Sequence, residues 1–361
     1  MDGLKIFGSP RRYVQGPGAL AQLGQLTASI GSHPLVVVDA DVLPFVEATL
    51  NEALAGRDSM ILGFRGEPTH AAIDALAEQA RAAGANVVIG VGGGKGLDAA
   101  KGVARRIGLE FVSVPTIASN DSPTGRAIAI YDDHHVLVDV ETIPDNPALV
   151  LVDTQIIANA PARFLRAGMG DAIAKKFEAE RARADGARNF HDGFPLLTAM
   201  AIADCGYRTL REHGEAALRA NERKVPDAAF EAVVEANVLM AGLGFESGGL
   251  SYAHAVVRGL VKARDIATVM HGDHVAYGTL VQLAIEDRDD AEILDLMGWS
   301  RSVGLPCSLA DMGMANPTAE EMHEIARLTT IGPKGNKIEV RVSIEQIAAA
   351  IARVEALAGQ G

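Results

Sequence analysis

Four short apolar runs in the first 160 residues limit the folds that this chain can adopt. The runs span residues 35–38, 86–91, 111–114 and 148–152, and they consist mostly of Val, Ile and Leu. Near-continuous apolar strands are buried on both faces, as in parallel sheets. Residues 71–83 lie between two of these runs and carry apolar side chains at helical spacing. Strands that alternate with helices in this way predict a doubly wound α/β domain.

The chain changes character after Pro161. Residues 163–223 and 227–290 are rich in Ala, Leu, Glu and Arg, with helical periodicity and almost no β-branched runs. A length of 361 residues suggests two domains, since domains average roughly 150 residues. We therefore predict a Rossmann-like α/β domain over residues 1–160 and an all-α domain over residues 161–361. The short connection between them implies that the two domains meet closely and leave a cleft.

Composition and charge exclude several classes of partner and site. The 46 acidic residues outnumber the 33 Lys and Arg, and the resulting net charge of −13 disfavours nucleic acid and anionic membranes as partners. Cys205 and Cys307 are the only cysteines, which is too few for a four-thiolate zinc site. The N-terminus lacks an apolar signal core, and no long uncharged apolar run is present. We expect a cytoplasmic protein without nucleic-acid or membrane partners.

The run at 87–91 ends in a glycine-rich turn, Gly92–Gly94, which is followed by Lys95 and a helix that is predicted to begin near Gly96. A phosphate group needs backbone N–H groups without obstructing side chains, and it is favoured at a helix N-terminus. The turn therefore indicates a dinucleotide site. Leu97 stands where the usual dinucleotide fingerprint has its third glycine. The alternative is a tight turn that binds nothing.

Asp39 ends the run at 35–38, where a carboxylate is able to accept hydrogen bonds from the adenine-side ribose. A 2′-phosphate would be repelled there, so this position favours NAD over NADP. An equally good interpretation is that Asp39 only ends the strand and binds no ligand.

A metal site would have to be assembled from separated residues, because no local metal-binding motif is present. Asp171 follows a glycine pair, His254 lies in an apolar helical run, and His271 precedes another helix. One carboxylate and two imidazoles with an open fourth position would form a catalytic zinc site. A single histidine in an apolar helix is more often a hydrogen-bonded core residue. His274 lies one turn after His271 and is able to replace or assist it, although we expect it to face solvent or to support the ligands.

Taken together, these segments resemble the metal-dependent polyol branch of the iron/zinc-containing (group III) alcohol dehydrogenase superfamily, and most closely the glycerol dehydrogenases. The resemblance covers nearly the whole chain and implies the dehydroquinate synthase-like architecture. It also implies a homo-oligomer that oxidises a small alcohol. Its landmarks are residues 92–101, 115–121, 160–163, 170–172, 244–250 and 271–273.

The resemblance implies a catalytic metal held by Asp171, His254 and His271. Zinc is usual in this branch, and iron or manganese stays possible. Iron-type relatives carry a further histidine at the position of Lys175, so this lysine favours the three-ligand zinc pattern. Asp121 would contact a substrate hydroxyl and complete the catalytic residues.

The same resemblance implies a set of residues that bind NAD. Asp39 would hold the adenine ribose, and Tyr131 would lie near the nicotinamide. The complete set is Asp39, Gly93, Gly94, Lys95, Asp98, Thr116, Ser119, Gly125, Ala127 and Tyr131.

Two departures from the family pattern leave the substrate open. Val257 and Arg258 stand where a second histidine and an asparagine are usual, and Arg126 replaces a small uncharged residue. Two guanidinium groups near the cleft would favour an anionic or larger substrate, such as a 2-hydroxy acid. Equally, both arginines are able to face solvent or to form ion pairs at the domain interface.

Two other classes of function are weaker alternatives. Sugar-phosphate cyclases that depend on NAD and zinc share the architecture, and their anionic substrates need positive charges such as those of Lys175, Lys176, Arg258, Lys262 and Arg264. The polyol-type motifs at 115–121 and 244–250 argue against a cyclase. The intact ligand set argues against a non-catalytic protein that only binds NAD.

Overall fold

A six-stranded parallel sheet occupies the first part of the chain in the computed structural model, which describes residues 3–134, 136–332 and 337–360. In chain order, the strands of the structure are β1 (Tyr13–Gly16), β2 (Pro34–Asp39), β3 (Met60–Phe64), β4 (Val87–Gly92), β5 (Phe111–Pro115), β6 (Ala127–Tyr131), β7 (Leu137–Thr142) and β8 (Leu149–Asp153). The sheet order is β1-β8-β5-β4-β2-β3, with every neighbouring pair parallel. The strands β6 and β7 form a separate antiparallel hairpin.

Both faces of the sheet are covered by helices of the first part of the chain. These are α1 (Leu23–Thr27), α2 (Leu43–Ala53), α3 (His70–Ala82), α4 (Gly94–Ile107) and α5 (Thr154–Asn159). In β2, Leu35 and Val37 pack with α3 and α4, whereas Val36 and Val38 pack with α1 and α2. Successive side chains of a strand point to opposite faces, so a strand buried on both sides needs an unbroken apolar run. The predicted doubly wound parallel sheet is confirmed.

The sequence pattern predicts four of the eight strands in the described residues. Its runs correspond to β2, β4, β5 and β8, and the helix predicted at 71–83 is α3. It gives no strand at β1 and β3, which are the edge strands of the sheet and are only partly buried, and none at β6 and β7 of the separate hairpin. An edge strand faces solvent and needs no continuous apolar run. It also placed the start of α4 near Gly96, whereas the helix begins at Gly94.

Helices make up the regular structure of the described residues after β8. They are α6 (Ala162–Ala184), α7 (Leu197–Glu222), α8 (Ala228–Glu235), α9 (Ala241–Gly248), α10 (Tyr252–Leu260), α11 (His271–Ile285), α12 (Asp290–Ser302), α13 (Leu309–Met312), α14 (Ala319–Thr329) and α15 (Ile344–Ala358). The apolar core of these helices includes Val150 and Val152 of β8. The later helices therefore pack against β8, whereas most side chains of the other strands lie in two further apolar clusters, and a domain boundary at residue 160 stays a prediction.

A π-helical segment, Ala236–Met240, joins α8 to α9 and makes one helical stretch from Ala228 to Gly248. By length and composition alone, this stretch would be able to span a membrane. However, 56% of its most apolar window is buried inside the protein. Its apolar side chains are therefore those of a core helix.

Asp153 ties the end of β8 to its surroundings. Its carboxylate accepts hydrogen bonds from the backbone N–H groups of Gly18 and Leu20, and from those of Gln155 and Ile156 in α5. Asp153 is buried, so water cannot take its place as the acceptor for these N–H groups. One side chain thus caps α5 and anchors the loop that follows β1.

We expect Asp153→Ala to lower the free energy of unfolding by about 3 kcal/mol, because it removes a helix cap and leaves buried N–H groups unpaired. Asp58→Ala is the control, since the Asp58 side chain is 86% exposed. Urea denaturation followed by circular dichroism measures both variants. Equal midpoints for the two would contradict this account of Asp153.

Candidate metal centre and active site

Two glycines allow α6 and α11 to approach closely. A Cβ built on Gly170 would lie 2.3 Å from the carbonyl oxygen of Gly272. A Cβ on Gly272 would lie 1.7 Å from the carbonyl oxygen of Ala167. Any side chain at these positions would push the helices apart. Because Asp171 and His271 are the immediate neighbours of these glycines, the close contact brings the two residues together.

Asp171, His254 and His271 converge in the folded chain. Asp171 Oδ1 lies 3.2 Å from His254 Nε2 and 3.8 Å from His271 Nε2. One ligand atom from each residue lies within 4.8 Å of the others. Asp171 is buried, whereas the His271 side chain is 48% exposed, so the set opens to solvent beside His271.

The donor set fits a divalent transition metal. One carboxylate and two imidazoles suit zinc, and they also suit iron or manganese. Asp171 Oδ2 is buried and has no hydrogen-bond partner within the described residues. An unpartnered buried carboxylate oxygen is costly, and a bound cation would remove that cost. The residues therefore accommodate the metal that the family resemblance implies.

Glu178 holds His254 in place, and the sequence analysis missed it. Its Oε2 lies 2.8 Å from His254 Nδ1, while Oε1 accepts hydrogen bonds from the backbone N–H groups of Ser251 and His254. A carboxylate on Nδ1 leaves Nε2 directed at Asp171 and fixes the ring orientation. Glu178 follows Asp171 by seven residues on α6, so helical spacing from the candidate ligand was the available signal.

Lys175 links Asp171 to Asp121. Its Nζ lies 2.8 Å from Asp171 Oδ1 and 2.8 Å from Asp121 Oδ2. Burial alone would lower the pKa of Lys175, but the two carboxylates raise it above its usual value. Burial would likewise raise the pKa of Asp171, yet Lys175 and His254 lower it well below its usual range. Asp171 is therefore ionised, as a metal ligand must be.

The charges of this cluster also set the protonation of the two histidines. Burial alone would lower the pKa of His254, but the carboxylates of Glu178 and Asp171 raise it to about 9. The cleft desolvates the His271 ring although about half of its side-chain surface is accessible, and this desolvation, with the positive charges of His254 and Lys175, lowers the pKa of His271 to about 4 against the attraction of Asp171. His271 is thus neutral at pH 7, whereas His254 has to release a proton when a metal binds at Nε2.

Neighbouring side chains pack closely against the glycine turn that follows β4. A Cβ on Gly93 would lie 2.9 Å from the Ile117 side chain, and one on Gly94 would lie 2.8 Å from Asn120 Nδ2. A Cβ on Gly92 would lie 2.8 Å from Asp39 Cβ. No side chain caps the N-terminus of α4, where Gly93 is the N-cap residue. The turn therefore combines an uncapped helix start with a neighbouring carboxylate at Asp39, which suits a dinucleotide.

The loop at 116–121 runs from this turn to the metal ligands. The backbone N–H of Thr116 donates to the Gly92 carbonyl, and Asn237 Nδ2 donates to the Ala118 carbonyl. The loop ends at Asp121, which contacts Lys175. Thr116 Oγ1 is buried without a hydrogen-bond partner among the described residues. A hydroxyl in that state suits a contact with a bound cofactor.

Lys95 and Tyr131 of the predicted cofactor set lie together. Lys95 forms an ion pair with Glu67, and its Nζ lies 5.7 Å from the centre of the Tyr131 ring. Burial, with the nearby charges of Asp98 and Glu67, raises the pKa of Tyr131 to about 12. The tyrosine hydroxyl therefore stays protonated and is able to donate a hydrogen bond.

Other residues of the predicted cofactor set have contacts within the protein or are partly buried. The buried Asp98 carboxylate accepts hydrogen bonds from Ser122 Oγ and Lys101 Nζ, while Lys101 also donates to the Ala127 carbonyl. A Cβ on Gly125 would lie 3.3 Å from the Phe245 ring. Ser119 is half-buried. Contacts of these residues with a cofactor stay a prediction.

The sequence left the roles of Arg126, Arg258 and His274 open. In the structure, all three side chains contact backbone carbonyl oxygens. Arg126 donates to the carbonyl oxygens of residues 144 and 190, and Arg258 donates to those of residues 329 and 338. These bonds favour the interpretation in which the two arginines are structural contacts. His274 is buried, with Nε2 2.9 Å from the Ile266 carbonyl oxygen. Of the two expectations for His274, exposure to solvent is wrong, because the side chain is buried among the packed helices, and support of the metal ligands stays a prediction.

The chain is similar to several known proteins. The model of the family described as iron-containing alcohol dehydrogenase matches residues 10–154. The chain is 41% identical to glycolaldehyde reductase from Halobacterium salinarum, over 89% of this chain and 88% of that protein. It is 39% identical to glycerol dehydrogenase from Pseudomonas putida, over 95% of each chain. The crystal structure of glycerol dehydrogenase from Schizosaccharomyces pombe superposes with a TM-score of 0.93 at 33% identity, covering 99% of this chain and 92% of that one.

The chain belongs to the iron-containing alcohol dehydrogenase family. The resemblance stated from the sequence motifs is thereby confirmed, and the protein is an oxidoreductase of this family. Members of the family with the same architecture over nearly the whole chain include glycerol dehydrogenases.

The carboxylate behind His254 is expected to strengthen metal binding. We predict that Glu178→Gln weakens Zn²⁺ affinity by about 10–100-fold, the usual effect of losing a group that orients a ligand. Glu180→Gln is the matched control on the same helix, since the Glu180 side chain is 42% exposed. Competition with a chromophoric chelator measures the dissociation constants. The same constant in wild type and Glu178→Gln would contradict this role.

Proposed function

We propose that this protein catalyses the NAD-linked oxidation of a small polyol or secondary alcohol, of the glycerol-to-dihydroxyacetone type, at a zinc site formed by Asp171, His254 and His271. The observation that carries this proposal is the convergence of a carboxylate and two imidazoles beside the loop from the glycine turn. Two of the relatives named above are glycerol dehydrogenases, and a third is a glycolaldehyde reductase. All three names describe oxidoreductases of small hydroxy compounds.

The ligand residues prepare the site for an alcohol. A bound divalent ion would act as a Lewis acid that makes the alcohol proton more acidic and stabilises negative charge on its oxygen. Asp171 contributes one negative charge, and Glu178 keeps His254 Nε2 directed at the site. The exposed side of His271 is the side from which a substrate enters. Asp121 contacts a substrate hydroxyl, because its carboxylate lies beside Asp171 across Lys175.

The glycine turn positions the cofactor for hydride transfer. In this proposal Gly93 and Gly94 hold the pyrophosphate at the start of α4, and Thr116 Oγ1 supplies a further hydrogen bond. Asp39, which packs against Gly92, binds the adenine ribose and selects NAD. The short loop at 116–121 then fixes the distance between the nicotinamide and the alcohol carbon, which lowers the entropic cost of bringing them together.

Several of the positive charges that a sugar-phosphate cyclase would need are paired with carboxylates of the protein. Lys175 contacts two carboxylates inside the site, and Arg264 pairs with Glu321 at the surface. Lys176 pairs with Glu180. These contacts favour an uncharged polyol as the substrate. The boundary at residues 160–161, the homo-oligomeric state and the cytoplasmic location stay predictions.

The proposed reaction is tested by NADH formation from glycerol, 1,2-propanediol, other vicinal diols and 2-hydroxy acids, with and without Zn²⁺. We expect turnover of the diols that depends on the metal. Net NADH formation separates a dehydrogenase from a cyclase, in which NAD is only transiently reduced. Preferential turnover of 2-hydroxy acids would replace the polyol assignment with the second candidate, and no NADH formation from any of these alcohols would refute the proposal.

The ligand assignment has its own test. His254→Ala is expected to lose bound zinc and turnover while it binds NADH almost as tightly as wild type, because His254 is not among the residues proposed to bind NAD. His323→Ala is the control, since His323 is exposed on α14. Metal analysis, fluorescence titration with NADH and initial rates measure the three properties. Full zinc content in His254→Ala would rule out this ligand set.

The selection of NAD is tested at Asp39. We expect Asp39→Ala to raise KM for NAD⁺ by about tenfold, because a charge-assisted hydrogen bond to the ribose contributes about 1.5–3 kcal/mol. It should also raise kcat/KM for NADP⁺, since the charge that repels a 2′-phosphate is removed. Asp41→Ala is the control, as the Asp41 side chain is 74% exposed. Identical nucleotide preferences in the two variants would reject this role for Asp39.

A further inference from the structure

Lys175 places a positive charge among the proposed metal ligands. Its Nζ lies 2.8 Å from Asp171 Oδ1 and 3.3 Å from His254 Nε2, so it contacts two of the three ligand residues. The same ammonium lies 2.8 Å from Asp121 Oδ2. The Lys175 side chain is 1% exposed, which leaves it no route to bulk solvent. A buried cation therefore lies at the position where the ligands converge.

A lysine and a divalent ion compete for the same groups. The Lys175 ammonium lies 3.3 Å from His254 Nε2, in the space that a metal bound to this nitrogen would take. The Asp171 carboxylate is shared between the ammonium and the ion, and the two positive charges repel each other strongly at short range in a buried environment. The Asp121 carboxylate is outside the ligand set and offers Lys175 a partner that a metal does not take away.

We propose that Lys175 is a resident cation of this centre, which holds Asp171, His254 and Asp121 together without a metal and lowers the affinity of the site for divalent ions. Metal binding requires Lys175 to give up its contacts with Asp171 and His254 and to keep the one with Asp121. Lys175 is therefore a positioning residue that links the metal ligands to the carboxylate proposed to contact substrate. This inference rests on the proposed ligand set.

A purely structural ion pair makes a different prediction. If Lys175 only neutralised two buried carboxylates, its removal would destabilise the protein and leave the metal affinity unchanged or weaker. If Lys175 competes with the ion, its removal tightens metal binding, because the ligands then have no other cation. The direction of the change in metal affinity therefore distinguishes a structural role of Lys175 from competition with the metal.

The test compares Lys175→Met with Lys176→Met in metal-stripped enzyme. Lys176 is the next residue on α6, but it pairs with Glu180 and lies over the rings of Phe177 and Tyr207. We expect the Zn²⁺ dissociation constant of Lys175→Met to fall by about 10–100-fold, the size of effect known for groups beside metal ligands. Lys176→Met should match wild type. Saturating Zn²⁺ should also raise the melting temperature of Lys175→Met more than that of wild type, because tighter binding to the folded state stabilises it more.

Lys175→Met leaves two carboxylates without their cation, which is able to impair folding. A second pair of variants keeps the proposal testable in that case. Asp121→Asn removes one of these charges, so Asp121→Asn/Lys175→Met is compared with Asp121→Asn alone. The double variant should bind Zn²⁺ more tightly. Equal or weaker binding on loss of Lys175, in the variant pair that folds, overturns the proposal.

One further variant separates this proposal from the proposed function. His271→Ala should weaken Zn²⁺ binding in an otherwise wild-type chain. If it does so and loss of Lys175 leaves the affinity unchanged, the ligand set stands and only the role of Lys175 is refuted. If His271→Ala binds Zn²⁺ as wild type does, the ligand set itself is wrong.

Discussion

The burial of three charged side chains on one face of α6 is the constraint on which the site depends. Asp171, Lys175 and Glu178 are spaced by four and three residues, so they share a helical face. Each is almost completely buried, and a buried ion without a partner is strongly destabilising. Asp171 and Lys175 pair with each other on the helix, and the further partners come from outside it, as Asp121 lies before it and His254 after it. The charges therefore require the loop and the helix that carry those partners to pack against α6.

Close backbone contacts make that packing possible. Gly170 and Gly272 let α6 and α11 approach to a distance that no side chain would permit. Gly168 does the same for α6 and the loop at 116–121, since a Cβ there would lie 1.9 Å from the Ala118 carbonyl oxygen. The same loop continues to the glycine turn through Thr116. Small residues thus connect the dinucleotide-type turn and the metal ligands in one rigid arrangement, which a hydride transfer between two bound molecules needs.

The buried part of the fold was predictable from the sequence, and its edges were not. The strands β2, β4, β5 and β8 lie inside the sheet and must be apolar on both faces, which gives each an unmistakable run. The edge strands β1 and β3 have one side towards solvent, and their mixed patterns resemble those of loops. In the site, Asp171, His254 and His271 stood out through motifs that resemble those of a family. Glu178 did not, and neither did the pairing of Lys175 with Asp121 and His254, because contacts between segments far apart in the chain leave no local pattern.

The sequence by itself determined the alternation of strands and helices, the glycine turn and the family, since these depend on short-range periodicity and on contiguous motifs. Only the tertiary structure decided which charges meet. The contact of Lys175 with Asp121 joins residues 54 positions apart, and the contact with His254 joins residues 79 positions apart. It also placed His274 in the core and gave Arg126 and Arg258 backbone carbonyls as partners. A charged side chain has the same appearance in a sequence whether it faces solvent or a metal site, because its environment is set by segments far away along the chain.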